Sequence, residues 1–110
     1  MYAYENVING LDSRVQFMGA VTGLTTIATA PTPTSVLYLT DIILMNGEED
    51  AQTLELTQGL TSQFTFQLAA GGGVAHAFRK PLRMANAGTI SGTNSGTAVN
   101  AIFIGFWLPN

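Results

Sequence analysis

Polar and apolar residues alternate with a period of two along most of this chain, and no stretch keeps a helical period. Turn-forming residues interrupt the alternation about every ten residues, a spacing typical of a β-sandwich or barrel. Eight strands are predicted, at Arg14–Ala20, Leu24–Thr29, Ser35–Met45, Ala51–Thr57, Gln63–Ala69, Val74–Lys80, Gly88–Gly92 and Thr97–Leu108. The pattern therefore predicts an all-β protein.

The fourth and fifth predicted strands alternate cleanly. Leu54 and Leu56 are separated by Glu55, and Phe64 and Phe66 are separated by Thr65. Strands of this kind cover a core on one side and meet water on the other.

The third and eighth predicted strands are apolar on both faces. In the third, simple alternation places Val36, Tyr38, Ile42 and Leu44 on one face and Leu37, Leu39, Ile43 and Met45 on the other. In the eighth, it places Ile102, Ile104, Phe106 and Leu108 opposite Val99, Ala101, Phe103 and Trp107. A sandwich buries only one face of each strand, so an arm, a loop or another subunit must cover the second face.

Strand order locates this second apolar face. If the eight antiparallel strands form a jelly-roll sandwich, the third and eighth strands are neighbours in one sheet. Their outer sides then form one apolar patch, which is typical of an interface. The residues predicted to form a subunit interface are Tyr38, Ile42, Leu44, Phe103 and Trp107.

Length and composition agree with a small assembling domain. The 110 residues allow one domain, predicted over residues 13–110 and preceded by an N-terminal arm over residues 1–12. Charged residues make up 10%, against about 25% in ordinary soluble domains. A surface covered by neighbouring chains explains this low value, and a neutral surface rich in Thr, Ser, Asn and Gln is the alternative.

Several classes of function are disfavoured. The net charge of −3 argues against general nucleic-acid binding, which needs a basic footprint. The chain contains no cysteine, so disulfides and thiolate metal sites are excluded. The longest apolar stretches fall well short of the roughly 18 residues that a membrane helix needs, and the N-terminus lacks the pattern of a secretory signal.

The sequence offers no set of catalytic residues. His76 is the only histidine and has no partner with metal-ligand spacing, so we expect a hydrogen-bonded histidine in the core or an interface. Asp41 lies alone in an apolar strand, where it could pair with a base such as Arg79 or stabilise a subunit contact. The run Glu48–Asp50 lacks EF-hand spacing and is typical of a solvated turn. We therefore expect no enzyme activity, no metal and no cofactor.

Two groups of residues are candidates for docking on a neighbouring chain. Arg79, Lys80 and Arg83 form the only basic cluster, which fits an acidic patch on a partner or an ordinary solvated strand end. Tyr2 and Tyr4 lie in the predicted arm, and aromatic side chains anchor interfaces well because they bury much area at low entropic cost. A frayed terminus is the alternative for these two.

Several segments together carry a family resemblance. They are a Thr-rich strand ending at Pro31, a strand that runs from Tyr38 into the turn at Asn46, the small-residue tip Leu68–Gly73, the corner Phe78–Leu82, and the apolar strand Ile102–Trp107. Over roughly residues 20–108 the sequence resembles the jelly-roll decoration, or cement, proteins of tailed-bacteriophage heads and related small virion modules. The N-terminal segment matches nothing in that family.

The resemblance implies a homotrimer that binds the major capsid protein on the capsid surface of the virion, after synthesis in the host bacterial cytoplasm. Such a protein bridges neighbouring capsomers and helps the shell to resist internal pressure. The alternative is a receptor- or carbohydrate-binding module of a phage tail or fibre. Modules of that kind usually expose aromatic side chains around a cleft. The single Trp of this chain lies in an apolar strand instead.

Overall fold

The computed structural model describes residues 14–59 and 61–109, which form β-strands joined by turns and short loops. Over these residues there are eight strands: β1 (Arg14–Val21), β2 (Leu24–Ala28), β3 (Ser35–Met45), β4 (Gln52–Gln58), β5 (Thr61–Leu68), β6 (Gly73–Arg83), β7 (Ile90–Asn94) and β8 (Val99–Pro109). The all-β prediction is confirmed. The predicted arm over residues 1–12 lies outside the described residues.

The strands pair into two antiparallel sheets of four. Sheet A has the order β1-β8-β3-β6, and sheet B has the order β2-β7-β4-β5. The two long apolar strands, β3 and β8, are neighbours at the centre of sheet A, as predicted, and pair from Ser35 opposite Pro109 to Met45 opposite Asn100. The two cleanly alternating strands, β4 and β5, pair with each other in sheet B.

The core lies between the two sheets and is mostly aliphatic. It contains fully buried Leu54 and Leu56 from sheet B and Phe103 from sheet A, while Phe64 and Phe66 are half-buried against it. Thr53 and Glu55 point away from the core. The alternation predicted for β4 and β5 is therefore confirmed.

The faces predicted for the second half of β3 are wrong, and the cause is a β-bulge at Thr40. Leu39 pairs with Gly105 and Asp41 pairs with Ile104, so Thr40 is an extra residue in the ladder. A bulge of this kind shifts the alternation by one position. As a result Leu37, Leu39, Ile42 and Leu44 all face the core, whereas Ile43 and Met45 are exposed on the other side.

Side chains on both neighbours of β8 donate hydrogen bonds to it beside the bulge at Thr40. The Thr40 hydroxyl donates to the Ile104 carbonyl at 3.2 Å. Gln16, itself an extra residue in β1, donates to the Gly105 carbonyl at 3.0 Å and accepts from the Trp107 indole N–H at 3.0 Å. Position 105 requires glycine, since a Cβ there would collide with the Tyr38 carbonyl oxygen.

The sixth strand continues past Pro81, where the sequence predicts its end. Ala77 pairs with Asp41 and Leu82 pairs with Leu39, so the residues between Ala77 and Leu82 bulge out of the ladder. β6 is an edge strand within the described residues. Proline is tolerated at such a position because its missing N–H is not needed by a neighbouring strand.

Three buried amide side chains tie the turns together at one end of the sandwich. Gln52 donates to the side chain of Asn46 at 2.9 Å and accepts from the side chain of Asn94 at 2.8 Å. Asn46 also donates to the carbonyls of Asp50 at 2.9 Å and Ala69 at 3.1 Å. Each buried amide is thus satisfied, which avoids the cost of burying an unpaired polar group.

Candidate functional site

The outer face of sheet A is apolar across all four strands. Residues paired directly across a sheet lie on the same side of it, so the register defines rows that run from edge to edge. One row is Met18, Ile102, Ile43 and Ala75, and the next is Val15, Ile104, Asp41 and Ala77. A third row is Ala20, Asn100, Met45 and Gly73, and the far end of the face carries Tyr38, Phe106, Val36 and Leu108.

Much of this outer face is open to solvent. Met18 is 67% exposed, Met45 61%, Val15 50% and Ile43 37%. Ile102, Ile104, Phe106 and Leu108 on β8 are half-buried, while Val36 is buried. A shallow apolar depression of about 250 Å³ lies among Met18, Ile43, Met45 and Ile102.

The outer face of sheet B has the opposite character. Its rows are Leu24, Thr93, Glu55 and Thr65, then Thr26, Ser91, Thr57 and Ser62. Only Leu24 is a large apolar side chain in these rows. The apolar outer surface is therefore a property of sheet A and not of both sheets.

Asp41 is the one carboxylate in the rows of the outer face of sheet A. It lies between Ile104 on β8 and Ala77 on β6 and is half-buried. Among the described residues it makes no hydrogen bond or ion pair, and Arg79, two positions beyond Ala77, does not pair with it. Covering this face would remove the carboxylate from water, at a cost unless a cation or hydrogen-bond donor meets it.

Three of the five residues predicted for a subunit interface lie in the core. Ile42 is 2% exposed, and Leu44 and Phe103 are fully buried between the sheets. Ile42 and Leu44 were assigned to the outer face by an alternation that ignores the bulge at Thr40. Their side chains cannot contact another subunit in this fold, so the proposed interface is redefined by the rows above.

The other two predicted interface residues lie at the same end of sheet A on opposite faces. Tyr38 stacks on Phe106 on the outer face, with ring centroids 5.3 Å apart and an interplanar angle of 1°. Trp107 is half-buried against the core and is held by Gln16. Tyr38 therefore stays in the proposed interface and Trp107 leaves it.

The basic cluster divides between two environments. Arg79 and Lys80 are exposed in the bulge of β6. The Arg83 guanidinium donates to the carbonyls of Met84 at 3.0 Å and Ala85 at 3.1 Å, so it also holds the loop that follows β6. The two arm residues proposed for docking, Tyr2 and Tyr4, lie outside the described residues.

His76 shares the inward face of β6 with Val74 and Phe78, but it is not a core residue. It lies opposite Ile42 and thus points inward, yet it is exposed because β6 is at the edge of the sheet. Its ring contacts Phe78 edge-on at 4.7 Å. Within the described chain its ring forms no hydrogen bond, so the core alternative is wrong, whereas a histidine that pairs across an interface stays a prediction.

The acidic turn Glu48–Asp50 borders an open cleft of about 440 Å³ together with Ser95–Thr97. All three acidic side chains are exposed. Over residues 14–59 and 61–109, His, Asp and Glu side chains form no group of three or more that could hold a metal ion.

Sequence reasoning missed two groups of residues, one on the outer face of sheet A and one buried at the end of the sandwich. Val15 and Met18 extend the apolar outer face onto β1, and only the long-range pairing of β1 with β8 brings them there. The amides Asn46, Gln52 and Asn94 were also missed. Gln52 gives a usable signal, since it has the same parity as Leu54 and Leu56 and so occupies a core position.

The chain matches no protein-family model, and no curated protein matches its sequence. In the described part of the structure, no helix is long and apolar enough to cross a membrane.

Proposed function

We propose that this chain is a structural protein that assembles through the outer face of sheet A, as a homo-oligomeric jelly-roll decoration protein of a phage capsid. The observation that carries the assembly part is the apolar outer face itself. Its rows hold four large hydrophobic side chains that are more than one-third exposed, namely Val15, Met18, Ile43 and Met45. Contiguous apolar surface of this kind marks interaction sites in soluble proteins.

The order of the strands supports the jelly-roll assignment. In that topology the first, last, third and sixth strands form one sheet, and the second, seventh, fourth and fifth form the other. Sheets A and B have these orders. The capsid role is drawn from the sequence resemblance, and it fits a protein whose work is done by buried area.

The proposed mechanism is mechanical and involves no reacting group. Copies of the chain bury the outer face of sheet A against one another, in a trimer by analogy with the resembled family. The exposed Arg79 and Lys80 then remain available for docking on the major capsid protein. Burial of apolar area supplies about 25 cal/mol per Å², so a face of this kind can hold subunits together without a salt bridge.

Light scattering after size-exclusion chromatography tests the assembly part. We expect the purified chain to elute as a discrete oligomer at micromolar concentration, and a stable monomer would contradict the proposal. Quantitative mass spectrometry of assembled particles tests the capsid part. A copy number near that of the major capsid protein supports decoration, whereas a few copies per particle would instead indicate a tail or fibre.

A further inference from the structure

The two sheets have four edge strands within the described residues, and three of them carry features that block pairing with another strand. β1 has an irregular register at Gln16, and β2 is five residues long with an irregularity at Ile27. β6 carries Arg79, Lys80 and Pro81 in its bulge. Charges, proline, bulges and short length are the common means by which natural sheets protect their edges.

The fourth edge, β5, lacks these features over most of its length. It pairs regularly with β4 from Phe64 opposite Leu56 to Leu68 opposite Gln52, and its one irregularity lies near Ser62. The strand Thr61–Leu68 contains no charged residue, no proline and no glycine. Its outward side chains Thr65 and Gln67 are exposed. The free side of β5 therefore offers backbone N–H and C=O groups to an added strand.

The core is also incompletely covered along this edge. Val74 and His76 on β6 point inward, opposite Leu44 and Ile42, yet His76 is exposed and Val74 is 38% exposed. At the other edge of the sandwich, Val21 and Ile27 are fully or almost fully buried. Counting only residues 14–59 and 61–109, the sandwich is thus closed on the side of β1 and β2 and open on the side of β5 and β6.

We infer that β5 pairs antiparallel with β5 of a second copy of this chain, in the register that places Phe66 opposite its own counterpart. In that register Phe64 lies opposite Leu68 and Thr65 lies opposite Gln67. The inward side chains of both copies then face the same side, and the two four-stranded B sheets become one continuous sheet.

A second copy fits this edge because the segment is complementary to itself. A two-fold axis pairs an antiparallel strand with itself, and each cross-strand pair then matches apolar with apolar or polar with polar. The segment carries no charge, so no like charges meet across the axis. Pairing also extends the partly open core, since Phe64 and Phe66 are half-buried and gain apolar neighbours.

This contact goes beyond the proposed function and does not rest on it. The outer face of sheet A and the free edge of β5 belong to different sheets. The β5 contact therefore joins copies edge to edge, whether or not those copies also associate through sheet A.

Cysteine cross-linking tests the inference, and the chain suits it because it has no cysteine of its own. Directly opposite residues have Cβ atoms about 4.5–5.5 Å apart, close to the separation that a disulfide spans. We expect the double variant Thr65→Cys/Gln67→Cys to form a covalent dimer under mild oxidation. Mixing the two single variants should give a disulfide between position 65 of one chain and position 67 of the other, identified by mass spectrometry.

The matched control is Thr53→Cys/Glu55→Cys, which places the same pair of thiols on the outer face of the inner strand β4. We expect at least about tenfold more covalent dimer from the β5 variant than from this control after equal oxidation, because only an edge strand can pair with a second chain. Equal yields from both, or no 65–67 disulfide in the mixture, would overturn the inference.

The same cross-linking in an Ile43→Asp background separates this contact from the proposed function. Ile43 lies on the outer face of sheet A, whereas β5 is an edge strand of sheet B. Cross-linking that persists in this background supports an independent β5 contact, even if association through sheet A is lost. Its disappearance there, with circular dichroism showing an intact fold, would overturn the independence of the two contacts.

Discussion

The outer faces of sheets A and B have the same pleated backbone geometry but very different side chains. Across the middle of sheet A, Met18, Ile102 and Ile43 lie side by side, whereas Thr93 and Glu55 occupy the middle of sheet B. The outer rows of each sheet together contain one carboxylate, which is Asp41 in sheet A and Glu55 in sheet B. The comparison teaches that an exposed sheet face need not be apolar in this fold, so the proposal of assembly rests on sheet A and not on sheet B.

The largest expected effect comes from placing a charge at the centre of the apolar face. Ile43→Asp should weaken association about 100-fold, because an unpaired carboxylate in a desolvated contact costs about 3 kcal/mol. Ser91→Asp on β7 is the matched control, at an outward position of an inner strand of sheet B. Analytical ultracentrifugation gives both dissociation constants. Equal weakening by the two variants would show that sheet A holds no special contact.

A smaller effect should follow from shortening the two most exposed methionines of the face. The double variant Met18→Ala/Met45→Ala removes apolar area from the rims of the shallow depression. We expect about 1.5 kcal/mol less association free energy, roughly a tenfold higher dissociation constant. Thermal unfolding of the monomeric state should hardly change, since both side chains are mostly exposed. A large fall in the melting temperature would indicate a role in the fold instead.

Replacing the carboxylate of sheet A should have a modest effect of the opposite sign. Asp41→Leu is expected to tighten association about threefold, because a charge without a partner no longer has to leave water. Glu55→Leu on sheet B serves as its control and should leave association unchanged. Weaker association of the Asp41 variant would show that the neighbouring chain supplies a cation or donor to this carboxylate.

The smallest expected effect is that of salt. An apolar contact responds weakly to screening, so the dissociation constant should change by less than about twofold between roughly 0.05 and 0.5 M sodium chloride. Ammonium sulfate should strengthen association, because excluded salts favour burial of apolar surface. A steep loss of association with sodium chloride would indicate that ion pairs, and not the apolar rows, hold the subunits.

The sequence predicts where the strands lie, and that β3 and β8 are neighbours, far better than it predicts which side chains face the core. Period-two alternation and turn residues locate all eight strands to within a few positions. Alternation fails in β3 because the bulge at Thr40 adds a residue that leaves no mark in the apolar pattern, since both faces of that strand are apolar. Ile42 and Leu44 were misplaced for this reason.

Features that depend on pairing between distant segments could not be predicted from the sequence either. Met18 joins the outer face only because β1 pairs with β8, and no local pattern reports that pairing. His76 has the parity of a core residue but is exposed, because its strand is at the edge of its sheet. Local periodicity gives the side of a strand, whereas burial depends on what lies beside and across from it.

The position of β8 has a consequence for how the chain folds during synthesis. β8 comes last in the chain among the eight described strands, yet it lies between β1 and β3 and pairs with both. Sheet A therefore cannot be completed until the residues up to Pro109 have left the ribosome. Pairing between strands so distant in sequence is also slow to form. Until then β3 lacks its β8 neighbour, and we expect its apolar side chains to be exposed and prone to aggregation. Chains that stop before β8 should therefore accumulate as insoluble protein and not as partly folded domains.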